Sequence, residues 1–434
     1  MQIHVVQKDD TLLKISRFYG IDMSRIIEAN QIQSPDLLVI GQALVIPTPA
    51  GTHMVRPRES LWLIAQKYRT SPQVIASDNN IANPLLIYPG QMLFMRRPVI
   101  EVNGYLSKTG TVGQQAVIKN SRYLSSVSIF SYYVKSDGSI VPSQIIANKY
   151  VSLMDDTEVI KITKSEHLVP IMVIANFVGN RFDSELVHII LSSSEVQNIL
   201  ISNILTTMKS KGYLGLNVDF EFIYPEDRHL FNQFIRQLVD RLHPEGYSVS
   251  IALAAKTSDT TSGILSGAQD YAVLGQLTDF VVIMTYDWGW VGGPPFPIAP
   301  INEVKKVIDY AVSVIPRDKI LMGVPLYGYD WKLPFKEGET TAEMISSYEA
   351  VIRASTYRAD IQYNYLYQSP FFLYTDKDGI KHEVWFEDAR SVQVKYNLVK
   401  AYKLRGISYW EISFSFPQNW LVLNDVFRVS KLLR

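Results

Sequence analysis

Tyr213-Leu214-Gly215-Leu216-Asn217-Val218-Asp219-Phe220-Glu221 alternates between two kinds of side chain. Asn217, Asp219 and Glu221 lie two apart, with Leu216, Val218 and Phe220 beside them. A period of two is that of a β-strand, which places the amide and both carboxylates on one face and the apolar trio on the other. A row of acids on one face is costly unless its members share protons and hydrogen bonds, because each charge disfavours ionisation of the next. Folds tolerate that cost chiefly at sites of chemistry. A solvated edge strand would be the plainer origin of the pattern, but the flanking sequence argues against it.

Outward from this stretch, the chain beyond Pro98 alternates strand and helix patterns. Strand segments are expected at 99–105, 127–133, 168–176, 214–221, 248–254, 280–287, 320–327 and 406–412. Most are continuous apolar runs, as suits strands buried on both faces. Between them lie amphipathic helices. The helix at 226–242 carries Leu230, Phe231, Phe234, Ile235, Leu238, Val239 and Leu242 on one stripe, with Pro225 near its first turn, where a missing N–H matters little. Eight such units define an α/β fold, a TIM (β/α)8 barrel, over residues 98–434. The long gap between strands seven and eight, from Asp330 to Arg405, holds an α+β insertion at about 332–388. Within it, 371–374 and 383–386 flanking Asp378-Gly379 read as a hairpin forming one wall of a cleft. Barrel chemistry sits at the C-terminal ends of strands. Glu221, Tyr286-Asp287 and Trp410-Glu411 all fall at that end.

Composition narrows the function. The 42 Lys+Arg balance the 42 Asp+Glu, so there is no basic footprint for nucleic acid. Cys is absent, which removes disulfides, thiolate chemistry and Cys-ligated zinc. The seven His residues show no paired ligand spacing, so no metal and no cofactor is expected. The apolar run 168–178 is broken by Pro170 and Asn176 and is too short to span a bilayer. The N-terminus lacks a basic start followed by a long apolar run, so no secretory signal is read. A monomer is the expectation for oligomeric state. With 7 Trp, 25 Tyr and 18 Phe, the chain is rich in rings on which sugar C–H faces can stack.

The first residues repeat. Segments 1–48 and 50–97 match at a constant offset of 49, pairing Thr11 with Ser60, Leu12 with Leu61, Tyr19 with Tyr68, Asn30 with Asn79 and Gly41-Gln42 with Gly90-Gln91. Each copy reads strand, helix, helix, strand (βααβ), with Asp10 or Thr11 capping the first helix of copy one. This resembles a tandem of LysM modules. The resemblance implies binding of N-acetylglucosamine-containing glycan, peptidoglycan or chitin, near Thr11, Leu12 and Asn30 and near Ser60, Leu61 and Asn79. Two weak sites joined by the short 47–51 linker would gain avidity through effective concentration.

The barrel resembles glycoside hydrolase family 18, whose strand-four signature is Asp-Gly-x-Asp-x-Asp-x-Glu. Here it reads Leu214-Gly215-Leu-Asn217-Val-Asp219-Phe-Glu221, keeping the last two acids and replacing the first two with Leu214 and Asn217. Met284-Thr-Tyr286-Asp287 matches the family's strand-six motif, and Trp410 its strand-eight tryptophan at the floor of the sugar site. The resemblance implies that Glu221 is the proton donor and later the base. Family 18 is an exception to the two-carboxylate scheme, the substrate's own acetamide being the nucleophile. Asp219 would orient that acetamide, and Tyr286 would donate to its oxygen. Asn217 would hydrogen-bond Asp219 and hold its rotamer. Tyr105, Tyr327, Met284 and Asp287 are further substrate-binding candidates.

Two LysM modules together with Asp287-Trp-Gly-Trp-Val-Gly-Gly-Pro-Pro295, Asp330-Trp-Lys-Leu-Pro-Phe335 and His382-Glu-Val-Trp-Phe-Glu-Asp388 resemble the SleL/YaaH group of spore cortex-lytic enzymes. That implies a retaining N-acetylglucosaminidase acting on spore cortex peptidoglycan or its fragments in germination, located in the spore cortex or coat. The muramic-δ-lactam of cortex glycan lacks a free acetamide, so N-acetylglucosamine would be the attacked sugar. Two alternatives stand beside it: a chitinase acting on chitin oligomers, and a catalytically silent glycan-binding spore coat protein.

Overall fold

The computed structural model describes residues 1–433 except 69, 147, 148, 153, 154, 180, 260 and 261. Its centre is a closed barrel of parallel strands: Val99–Leu106, Ser126–Val134, Val169–Ala175, Gly215–Asp219, Ser248–Ala254, Phe280–Met284, Ile320–Pro325 and Gly406–Trp410. The first strand pairs with both the second and the eighth, which closes the ring. The hairpin of Ile140–Ile146 and Lys149–Ser152 extends the second strand antiparallel, an addition the alternation pattern did not reveal.

The apolar residues of the strands divide by parity. Leu216, Val218 and Phe220 point outward into the large core under the helices, where Phe220 stacks on Phe234 with centroids 6.1 Å apart. Tyr105, Ile171, Val173, Val282 and Leu321 fill the barrel lumen instead. Asn217 and Asp219 share the lumen face, in register with Val173 and Ala175 of the third strand. The outward trio thus anchors the strand on its own helix and leaves the polar row facing the axis. After a 3-10 turn at Pro225–Asp227, that helix runs over Arg228–Leu242 and buries Phe231, Phe234, Ile235, Leu238 and Leu242.

The fourth and sixth strands stop short of their expected ends. Pairing ceases at Asp219 and Met284, and the chain then turns so that Phe222 and Asp287 take left-handed φ of 54° and 65°. Non-glycine residues rarely adopt that region, and those that do cluster at functional sites. Glu221, Tyr286 and Asp287 therefore lie on the loops above the strands.

The insertion is a five-stranded antiparallel sheet in the order Glu343–Ser346, Tyr327–Leu333, Lys381–Trp385, Ser369–Thr375, Gln362–Asn364, with helix Ser347–Thr356. It begins at Tyr327, ahead of the expected 332, because the chain leaves the seventh barrel strand directly into the sheet. The expected hairpin is its centre. Asp376 closes the turn by accepting from the amides of Asp378 (2.9 Å) and Ile380 (2.8 Å). Asp330 is buried beneath, accepting from Tyr374 Oη (2.7 Å) and the Arg353 guanidinium, with His382 Nδ1 at 2.6 Å.

Each N-terminal repeat is a two-stranded antiparallel sheet with two helices. The first comprises Gln2–Val5, Leu12–Tyr19, Met23–Asn30 and Ala43–Ile46; the second Thr52–Met54, Leu61–Tyr68, Pro72–Asp78 and Met92–Phe94. Thr11 caps the first helix, its Oγ1 accepting from Lys14 N at 3.2 Å. Asp10 instead faces His4 Nε2 at 3.0 Å. The linker is not a free tether. Gly51 N donates to Asp425 Oδ1 (3.2 Å), and Ala43 and Val45 of the first repeat join the barrel's outer core. The two modules are therefore held in place against the barrel rather than strung on a loose linker. Among the described residues no helix is long and apolar enough to cross a membrane.

Candidate active site at the barrel mouth

Asp219 is the last residue of the fourth strand, and Glu221 stands two residues on, half-buried at the mouth. With the strand ended, a side chain takes over the pairing of Glu221. Asn176, just past the third strand, accepts from Glu221 N at 2.9 Å and donates to its carbonyl at 2.9 Å. The same Nδ2 donates to Asp183 O at 3.0 Å. Asn176 is fully buried, so these bonds fix the acid's backbone without competition from water. Sequence reasoning did not single out Asn176. The available signal was an amide interrupting an apolar strand at its C-terminal end.

Asn217 does not hold Asp219. Its Oδ1 accepts from Tyr105 Oη (2.8 Å) and its Nδ2 donates to Ser250 Oγ (3.0 Å). Residues i and i+2 of a strand are about 6.7 Å apart, whereas the neighbouring strands bring Tyr105 and Ser250 closer. Asp219 Oδ1 is left buried with no hydrogen-bond partner among the described residues. Burial raises the Asp219 carboxyl above the ordinary range. Glu221 is raised as well, by burial first and then by the charges of Asp219 and Asp287. An acid so placed stays protonated where an exposed one would have ionised.

Tyr286 lies within electrostatic reach of both acids, and burial raises its hydroxyl well above its usual value. Its ring edge lies 2.7 Å from where a Cβ on Gly323 would be, so the seventh strand must carry glycine there. Met284 ends the sixth strand, half-buried. Asp287 opens into the cleft, yet its walls crowd the carboxyl enough that desolvation pushes it up to about 6, against hydrogen bonds from Tyr327 and Tyr329. Tyr327 Oη donates to Asp287 Oδ1 at 2.5 Å. Trp410 is partly exposed at the end of the eighth strand, its ring centroid 5.1 Å from Phe130 and 5.4 Å from Tyr105. The structure thus gathers Asp219, Glu221, Tyr286, Asp287 and Trp410 at one mouth. Tyr105 and Tyr327 lie behind them as buried supports, with hydroxyls engaged by Asn217 and Asp287, so neither ring is open to a sugar.

The repeats dispose of their expected glycan residues differently. Asn30 is buried, bridging Ile26 O (2.9 Å) and Val45 (2.7 and 2.8 Å). Asn79 makes the same bridge to Ile75 and Phe94. Leu12 and Leu61 are buried in the module cores. Of the six expected residues only Thr11 and Ser60 are exposed, and both cap helices. The other four are recurrent because they hold the module together.

The family model for glycosyl hydrolases family 18 matches residues 101–414, and the LysM domain model matches 4–47 and 53–96. The chain belongs to glycosyl hydrolase family 18 and carries two LysM domains. Along its whole length it is 40% identical to a cortical fragment-lytic enzyme of Bacillus subtilis (strain 168), covering 99% of each chain. It is similar to the Bacillus cereus spore cortex-lytic enzyme SleL, a solved structure, with a TM-score of 0.87, 38% identity and coverage of 99% of this chain and 98% of that one. A chitinase from Chromobacterium violaceum matches 76% of this chain and 99% of its own, at 26% identity and a TM-score of 0.68.

Proposed function

We propose that the chain is a retaining N-acetylglucosaminidase that hydrolyses spore cortex peptidoglycan or its fragments during germination. The observation that carries the mechanism is the unpartnered Asp219 Oδ1 beside a raised Glu221. Two acids two residues apart on one strand end cannot flank a sugar from opposite sides, so Asp219 is not the nucleophile. An acetamide N–H is the partner that Asp219 lacks. Glu221 donates its proton to the glycosidic oxygen as the leaving sugar departs. The acetamide carbonyl oxygen attacks the anomeric carbon to give an oxazolinium, with Asp219 accepting from its N–H and Tyr286 donating to its oxygen. Glu221, now ionised, takes a proton from the incoming water, which opens the ring with retention. Trp410 supplies a floor for the sugar. The full-length likeness to cortical fragment-lytic enzymes supports cortex as substrate and the spore as location, while the chitinase match covers only 76% of this chain.

The test is mass spectrometry of cortex fragments after incubation, with borohydride labelling of new ends. New reducing N-acetylglucosamine ends are expected. New muramic ends would overturn the assignment, and faster turnover of plain chitin oligomers would favour a chitinase. A thiazoline mimic of the oxazolinium should inhibit; a fitting thiazoline without effect would sink the assisted mechanism.

A further inference from the structure

The two LysM modules share their internal wiring. His4 lies 3.0 Å from Asp10 and 3.2 Å from Tyr19 Oη, and His53 lies 2.8 Å from Glu59 and 3.2 Å from Tyr68 Oη. Their surroundings differ. In the first module the loop after the second helix is docked on the barrel's insertion and on the start of the helix Ala389–Tyr402 that follows it. Tyr348 Oη donates to Gln31 O (3.0 Å), Ser355 Oγ to Leu37 O (3.3 Å), Ile361 N to Ile40 O (2.8 Å) and Arg390 to Gly41 O (3.1 Å). Val39 of this loop is buried in the insertion's core. A Cβ on Gly41 would stand 1.7 Å from Ile361 O, and φ there is +81°. At Gly90, the matching glycine, φ is +88° and no atom lies within 4 Å. The first module's closing strand is wholly buried, while Met92 and Phe94 of the second module's are exposed.

What the second module leaves open is aromatic and apolar. Trp62 is 58% exposed in the first turn of the helix that Ser60 caps, and Tyr88 is 61% exposed on the loop between the second helix and the closing strand; both lie beside the expected glycan face. Leu85, between them in sequence, is 89% exposed. The matching residues of the first module are Leu13, Val39 and Asp36, none aromatic. Its exposed ring, Phe18, lies seven residues past the cap, about 10 Å along the helix, and packs edge-on against Tyr19. The second module is tied to the barrel elsewhere, Lys400 Nζ donating to Tyr68 O (2.7 Å) and Arg97 to Asn424 O (2.6 Å), beside a crevice of about 590 Å³ bordered by Val74, Phe94, Val99 and Lys403.

We propose that the second module alone grips glycan, with Trp62 and Tyr88 stacking on the C–H faces of successive N-acetylhexosamines, and that the first is a docked spacer whose loop carbonyls are already bonded to the barrel. This rests on the reading of the chain as a peptidoglycan hydrolase. Exposed rings tie up no polar group when they meet a sugar, and Trp and Tyr dominate the energetics of such contacts.

The experiment compares full-length wild type with Trp62→Ala/Tyr88→Ala and with Leu13→Ala/Leu37→Ala. Cosedimentation with insoluble peptidoglycan reads the grip, and turnover of a short soluble cortex fragment reads the barrel. The first variant should lose about tenfold or more in sedimentation affinity with fragment turnover unchanged. The second should match wild type in both. Equal loss in the two variants, or undiminished binding by the first, overturns the division between modules while leaving the hydrolase reading intact. Wild type that turns over fragments but does not sediment also overturns it. Failure to cleave the fragment at all strikes the hydrolase reading instead. All four side chains are exposed, so the melting temperature should barely move.

Discussion

Asp219 and Asp330 are both buried aspartates, 4% and 3% exposed, and the protein treats them oppositely. Asp330, in the insertion, is met by Arg353, His382 and Tyr374. Asp219, at the barrel mouth, has an oxygen with no partner at all among the described residues. A buried charge without partners is expensive, and a paired one is held firmly. Burial alone therefore does not mark a working acid. In the mechanism proposed above, what sets Asp219 apart is an unpaired oxygen at the barrel mouth, which leaves room for substrate to supply the partner. The insertion's acid ties a wall of the cleft together, and the barrel's acids sit in a fold that would be more stable without their charge.

The largest expected effect tests whether the barrel side of that contrast is catalytic. Glu221→Gln should lower kcat by about 10²–10⁴-fold, the usual weight of a general acid–base group, with the melting temperature equal or higher. Near-native turnover would falsify the role. Next, Asp330→Ala leaves Arg353 and His382 without their shared carboxylate. It should cost about 3–5 kcal/mol in urea unfolding, as breaking a buried pair does. A cost below about 1 kcal/mol would put the two acids in the same class. The smallest effect concerns pH. The folded-state pKa of Asp219 is raised, so the folded chain holds its proton more tightly than the unfolded one. Stability is then full below the ordinary carboxylate range, near pH 4, and falls as pH climbs through the raised value. Asp219→Asn should remove that fall, gaining about 1–3 kcal/mol at pH 8 and nothing at pH 4. An equal gain at both pH values would mean that packing, not charge, had changed.

How much was legible follows the same division. The barrel was readable because buried parallel strands make apolar runs and because 217, 219 and 221 keep a two-residue period. The strand's true end was not, since alternation continues in the sequence after pairing has stopped, and the partner replacing the ladder is a side chain 45 residues away, Asn176. Asn217 was misassigned for a related reason. Proximity in sequence suggested Asp219, while its partners come from strands one and five. The matches at Asn30 and Asn79 located the modules correctly, but residues that repeat between copies are those that build each copy. The residues that differ, Trp62 and Tyr88 against Leu13 and Val39, carry the information about surface, and a repeat search discards them.

The docking of the first repeat joins distant parts of the chain: Ile40 is bonded to Ile361, and Gly41 to Arg390. A ribosome makes the first repeat long before the helix at Pro417–Val426 against which the module rests. The module can fold locally as it emerges, burying Leu44 and Ile46 in its own core, but the other face of its closing strand, Ala43 and Val45, stays unburied until nearly all of the barrel has been synthesised. The segment made first is thus among the last to find its resting place, with an apolar strand that must be kept from other chains for most of translation.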